Sequence, residues 1–329
     1  MTHFLRDFST VTIAFLRRAI AIVAAAVLLH PATARATWSI IAVDRSTGRI
    51  VIASATCVNG ARHFLKGVQA VVVPGKGVAA CQSSVDGTHR NQMLVFNELQ
   101  KGTDPGRILD LLSEDPGFQS RQFGIVDLEG RTAGHSGFSN GYVTQDIQGR
   151  VPGTDIYYSI QGNILRPGEV VPRAVKAFVD TRGAITDRVM AAMEAADGAG
   201  GDSRCTCDQG GAGRGRGGAP AAAAAAPTPA APAIPCDGRT AFVSYILMSE
   251  SKDQIGQGKD KSPRDSVAGF SLSDSTWAHN NGHYTMYIQV VQPQQGGPEA
   301  IKPGENLNPV KTLRMRYDAW RKTMPPSFK

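Results

Sequence analysis

The chain has 329 residues, 42% of them hydrophobic and 19% charged, which suits one large globular domain or two small ones and excludes wholesale disorder. The one apolar run that approaches spanning length lies at the start, which excludes a polytopic membrane protein. The formal charge is +7, of which Arg6, Arg17, Arg18 and Arg35 against Asp7 place +3 in the first 36 residues, leaving a mild excess with no dense basic patch and no expected nucleic-acid partner.

Residues 1–36 read as a secretory signal peptide, predicting a secreted or periplasmic protein with no membrane anchor after cleavage. Arg17 and Arg18 supply the basic region, and 19–29 is an apolar core too short to span a bilayer. Small residues then allow two cleavage frames. Cutting after Ala34 leaves Arg35 first; cutting after Ala36 leaves Thr37 first.

Directly after the leader a strand is expected over 37–43, and a turn through Gly48 leads to another over 50–56. A second hairpin follows, 68–73 and 78–83, around Pro74-Gly75-Lys76-Gly77. Helical periodicity runs from Asn91 to Lys101, and Asp104-Pro105 reads as a cap and first position of another helix. A third hairpin covers 121–127 and 131–135, then a strand 156–161, a helix 170–181 and a helix 187–196 capped by Thr186. A Gly/Ala/Pro-rich insertion at about 206–235 cannot bury enough apolar area to offset its ordering entropy, and Arg214 and Arg216 are too few to make it an RNA contact. Strands resume at 240–248 and 284–291, and Asn308 caps a last helix to Thr323. Helices grouped between antiparallel hairpins predict an α+β fold with helices covering stacked sheets, in one domain over 37–329 interrupted by the insertion.

The five cysteines, Cys57, Cys81, Cys205, Cys207 and Cys236, leave at least one unpaired within the chain; an export compartment favours structural disulfides among them. Cys205-Thr206-Cys207 is not a zinc-ribbon spacing, and His63, His89 and His135 show no metal-ligand spacing. No Gly-x-Ser-x-Gly elbow and no phosphate-cradling glycine loop occurs, so neither that hydrolase motif nor a cofactor is expected.

The sharpest signal is positional. If cleavage follows Ala36, Thr37 becomes the N-terminus at the head of a buried strand. An α-amine with a pKa of about 8 is partly unprotonated near neutral pH and lies a few bonds from the threonine hydroxyl. One residue then serves as nucleophile and base, and any upstream residue abolishes that basicity by turning the amine into a peptide nitrogen.

Four segments stand in a familiar order: Thr37-Trp38-Ser39-Ile40-Ile41-Ala42, Arg121-Gln122-Phe123-Gly124-Ile125-Val126-Asp127 with Gly130-Arg131, Tyr158-Ser159-Ile160-Gln161-Gly162-Asn163-Ile164-Leu165, and Gly200-Gly201-Asp202-Ser203-Arg204-Cys205. Together, over about 37–205 and more loosely at 240–248 and 308–320, they resemble the bacterial domain-of-unknown-function family ten twenty-eight of the N-terminal-nucleophile (Ntn) hydrolase superfamily. The resemblance implies a four-layer αββα sandwich with Thr37 at the end of a central strand, in a cleft between the sheets. It also points to Gln82, where the family carries glutamine, and to a Cys57–Cys205 disulfide, beside which Cys207 with Cys236 would close a loop across the insertion; Cys57 with Cys81 is the rival pairing.

An acyl-transfer site needs oxyanion donors and something to orient the amine. Gly162, through backbone N–H groups, and the Asn163 amide are the best donor candidates; both also suit an ordinary bulge or turn. Asp202 is positioned to hold the Thr37 ammonium or to pair with Arg204, and Ser39, two residues on, shares the face of Thr37. His135 ends a strand that either reaches the cleft or lies in solvent. The resulting expectation is a secreted amidohydrolase acting on an amide or peptide-type bond of a small molecule or peptide, without a cofactor; a homo-oligomer is left open. The alternative is a non-catalytic secreted binding module on the same sandwich.

Overall fold

Runs of small and β-branched residues at 38–43 and 50–55 build the first hairpin, the pattern of strands buried on both faces. In the computed structural model, which describes residues 37–58, 64–84, 86–205, 239–255, 279–280, 282–325 and 328, β1 (Thr37–Asp44) and β2 (Arg49–Thr56) pair from Thr37 opposite Thr56 to Asp44 opposite Arg49. The leader, the insertion at 206–235, Cys207, Cys236 and His63 lie outside the described residues.

A short helix, α1 (Phe64–Gln69), then precedes β3 (Ala70–Val73) and β4 (Gly77–Ser83). The strand expected from Val68 therefore starts two residues later. Val68 is buried in the apolar layer between the sheets and Gln69 is hydrogen-bonded there, so tertiary packing overrides the β preference of valine. Helices α2 (Arg90–Lys101) and α3 (Pro105–Leu112) follow, the second capped as expected by Asp104, whose carboxylate accepts the Gly106 N–H at 2.8 Å. Next come β5 (Arg121–Asp127), β6 (Thr132–Ser136), β7 (Gln145–Arg150) and β8 (Ile156–Asn163).

The helices α4 (Val170–Asp180) and α5 (Ile185–Gly198) match expectation except at one cap. Thr186 lies inside α5, fully buried beside the Tyr317 hydroxyl at 2.8 Å, and the N-cap is Ala184, whose N–H donates to Asp187. The chain closes with β9 (Val243–Ser249), β10 (Met286–Val291) and α6 (Pro309–Thr323), where Asn308 accepts the Val310 N–H.

The strands form two sheets, six-stranded in the order β10-β9-β2-β1-β8-β7 and four-stranded in the order β3-β4-β5-β6, with every pairing antiparallel. Three apolar layers hold them. Trp38, Ile40, Phe178, Met193 and Leu313 pack the larger sheet on α4, α5 and α6. Ile41, Ile52, Val78, Val126 and Leu247 fill the space between the sheets, and Phe123, Ile125, Val95, Leu99 and Ile108 pack the smaller sheet on α2 and α3. The result is the expected α+β sandwich of two antiparallel sheets between helix layers. Among the described residues no helix is long and apolar enough to cross a membrane.

Candidate active site

Period-2 alternation sorts the side chains of β1. Trp38, Ile40 and Ala42 turn to the helices, whereas Ile41 and Val43 turn to the facing sheet, and Thr37 and Ser39 share that second face. Along this interface the apolar side chains give way to polar ones toward the Thr37 end. Ile50 and Ile52 are succeeded by Ser54 and Thr56 on β2, Val78 and Ala80 by Gln82 on β4, and Val126 by Gln122 on β5. Strand β8 adds Ser159, Gln161 and Asn163. All are buried, and Thr37 itself is 4% exposed.

Burial on this scale calls for hydrogen bonds, and a network of them joins these residues, with Gln161 Oε1 left outside it. The Ser39 hydroxyl donates to Gln82 Oε1 at 2.7 Å, and Gln82 Nε2 donates to the Thr37 carbonyl at 3.2 Å and to Gln122 Oε1 at 2.7 Å. Gln69 Nε2 also donates to Gln82 Oε1, and Gln122 Nε2 reaches the Gly162 carbonyl at 3.0 Å. Thr37 faces Thr56 on one side, hydroxyl to hydroxyl at 3.4 Å, and Asn163 on the other. The Asn163 amide donates to the Ser83 hydroxyl at 3.2 Å, across the two sheets.

The remaining candidates sit at different removes. Gly162 lies within the ladder between Trp38 and Gln145, and its missing side chain makes room for Leu165 on the helix side, away from the sheet interface. Asp202 is fully buried; its carboxylate accepts the Cys57 N–H at 2.8 Å and the Arg204 N–H and guanidinium at 2.7–3.0 Å. Arg204 in turn lies 3.5 Å from the Thr56 hydroxyl, so this ion pair meets Thr37 through Thr56. The expected Cys57–Cys205 disulfide is formed, with Cα atoms 5.9 Å apart, and fastens this turn to the end of β2. Cys81 is the free cysteine among the described residues, buried, with burial pushing its thiol pKa up.

His135 does not reach the cleft. It stands opposite Phe123 in the ladder, on the face turned to α2 and α3, and stacks on Phe118 at 3.7 Å; burial holds its pKa below the usual value. His89 is buried beside His279 instead, with ring centres 5.6 Å apart. Among the described residues no group of three His, Cys, Asp or Glu is placed to hold a metal ion.

Gln69, Gln122, Thr56, Ser83 and Tyr245 escaped the sequence reading. Their signal was present in part, because Gln122 is a polar residue at an inward strand position between apolar neighbours. The backbone marks the same end. Ser83, Val143 and Ile164 have φ of 79°, 53° and 50°. Ser83 follows Gln82, Ile164 follows Asn163, and the Val143 carbonyl accepts the Leu165 N–H. Positive φ at β-branched residues costs energy, and such costs concentrate at functional sites.

Comparisons with known proteins agree with this architecture. No curated protein matches the sequence. The crystal structure of protein SPO2555 from Silicibacter pomeroyi, assigned to DUF1028, aligns with a TM-score of 0.52 at 18% identity over 88% of each chain, a likeness of fold. The model of the Family of unknown function (DUF1028) matches residues 37–212, from the first residue of β1 through the disulfide-held turn. With more than half its length so matched, the chain belongs to the DUF1028 family.

Proposed function

We propose that this chain is a secreted amidohydrolase of the N-terminal-nucleophile type, activated when removal of residues 1–36 frees the amine of Thr37. The observation that carries the reading is the place of Thr37: first residue of a central strand, side chain turned into the polar end of the sheet interface. Two antiparallel sheets packed face to face between helices support the superfamily resemblance.

In the proposed cycle the Thr37 amine takes the hydroxyl proton as the oxygen attacks an amide carbonyl. The same amine returns the proton to the departing nitrogen, and water then cleaves the threonyl ester by the reverse proton route. Asn163, opposite Thr37, is the better placed oxyanion donor, since the open side of Gly162 faces Leu165. Asp202 holds Arg204 against Thr56, contributing to the charge around the amine at one remove.

One observation favours the binding-module alternative. The Asp202 carboxylate is fully engaged by Cys57 and Arg204, as a purely structural carboxylate would be. The deciding experiment is the mature N-terminus, by intact mass and sequencing, followed by treatment with a peptidyl epoxyketone, which needs a hydroxyl and a free amine on one residue. A chain starting at Thr37 and labelled there, with labelling lost in Thr37→Ala, supports the hydrolase. A chain starting at Arg35, or a Thr37 terminus that stays unlabelled, leaves the binding module.

A further inference from the structure

A primary amide is both donor and acceptor, so three glutamines in contact can be arranged in several ways. Here the ends leave one. The buried Tyr245 hydroxyl donates to Gln69 Oε1 at 2.9 Å, and burial keeps that phenol protonated by raising its pKa. With its oxygen so used, Gln69 donates through Nε2, to Gln82 Oε1 at 2.7 Å and to the Ser54 hydroxyl at 3.0 Å. Gln82 then donates to the Thr37 carbonyl and to Gln122 Oε1. Gln122 Nε2 ends on acceptors: the Gly162 carbonyl at 3.0 Å, the Gln145 carbonyl at 3.1 Å and the Ser136 hydroxyl at 2.8 Å, with Ser136 bonded on to the Asp146 carboxylate. Flipping any one amide sets oxygen against oxygen or N–H against N–H at the next link.

We infer that Gln69, Gln82 and Gln122 are positioning residues that fix the pose of Thr37. The inference rests on the nucleophile reading above and adds to it the device that aims the nucleophile. Once the leader is removed, the peptide plane between residues 37 and 38 is the covalent tie of Thr37 to the fold, beside its pairing with Thr56 and Asn163. Gln82 pins the carbonyl of that plane, which fixes the Cα–C axis about which the amine and hydroxyl of residue 37 turn, and the Thr56 hydroxyl at 3.4 Å limits that turn. The other glutamines hold Gln82 in the orientation that can donate. None of the three needs to touch substrate. An attacking group held loosely loses much of its effective concentration, so the aim of Thr37 matters to rate as well as to stability.

The test uses the mature protein beginning at Thr37 and a peptidyl epoxyketone, with the rate of labelling at residue 37 followed by intact mass from pH 5 to 9. Variants are Gln82→Met, Gln122→Met, Gln69→Met and the isosteric Tyr245→Phe, with melting temperatures recorded. Gln289→Met, a buried glutamine on β10 bonded to Tyr287, is the control. The expected result is a fall in the high-pH plateau rate of about tenfold for the glutamine variants and about threefold for Tyr245→Phe. Gln289→Met should lower the melting temperature without lowering the plateau. If folded Gln69→Met and Tyr245→Phe label within twofold of the parent, the glutamines serve stability alone and the inference falls while the nucleophile reading stands. If the parent itself is not labelled at Thr37, both fall together.

Discussion

Thr37 and Asn163 stand directly opposite each other at the shared end of β1 and β8, both with side chains in the buried interface between the sheets. Asn163 also donates to Ser83 on the facing sheet, a residue held at φ 79°. It therefore links the two sheets at the point where Thr37 enters.

That link gives the first prediction. Replacing Asn163 by Ala removes a buried donor and leaves the Ser83 hydroxyl short of one partner, costing about 1–3 kcal/mol of stability. If the amide also holds an oxyanion, turnover of any amide substrate found should fall by about 10²–10³ in kcat. Denaturant melts and steady-state kinetics read the two effects separately. A folded Asn163→Ala protein with parental kcat would remove this residue from the chemistry.

The disulfide is open to a direct thermodynamic test. Cys57 and Cys205 are 148 residues apart in sequence, and closing so long a loop stabilises the fold by about 5 kcal/mol in the chain-entropy account. The paired double variant Cys57→Ala/Cys205→Ala should show a much lower urea midpoint. It should also lose hydrogen-exchange protection at the Cys57 amide, which donates to Asp202. A midpoint unaffected by the double change would show that the turn is held by Asp202 and Arg204 instead.

Much of this fold was legible because its strands are long apolar runs bounded by turn residues, as in 38–43 around Ile40 and Ile41, or 121–127 before Leu128-Glu129-Gly130. Strand β7 was not. Its sequence, Gln-Asp-Ile-Gln-Gly-Arg, carries one apolar side chain, because Asp146 and Gln148 bond to Ser136 and Ser159 rather than pack in a core. Thr37 was found from its place after the leader, and Ser39, Gln82 and Asn163 from their closeness to it in the strand pattern or the family. Gln69 and Tyr245 had no such pointer. They are 176 residues apart and meet through the stacking of two sheets, which no local periodicity encodes.

Acid stability should depend on Asp187. Burial alone would raise its pKa, but hydrogen bonds from Arg321 and Tyr317, the Arg321 charge and the Ala184 N–H together hold it below the ordinary carboxylate value. A carboxyl depressed in the folded state contributes stability that is present above its unfolded pKa of about 4 and lost as pH falls through the lower folded value. Melting temperature should therefore drop on acidification below pH 4, with part of that slope absent in Asp187→Asn. Parallel pH–Tm curves for the two proteins would place the acid-sensitive group elsewhere.

The turn before Asp202 depends on a glycine for two separable reasons. Gly201 has φ 50°, a left-handed conformation that L side chains adopt at a cost of about 1 kcal/mol. A Cβ there would also lie 2.7 Å from the ring of Trp38, which is fully buried and has nowhere to move. Gly153 shares the first constraint, at φ 73°, but a Cβ added to it would meet nothing within 4 Å. Gly153→Ala should thus cost only the backbone share, about 1 kcal/mol, while Gly201→Ala should cost about 2–4 kcal/mol. Trp38 is the neighbour of Thr37, so displacement of its ring in Gly201→Ala should also slow labelling of Thr37, whereas Gly153→Ala should leave that rate alone. Equal losses of stability in the two variants would mean that the ring yields, and that Trp38 does not lock the start of β1.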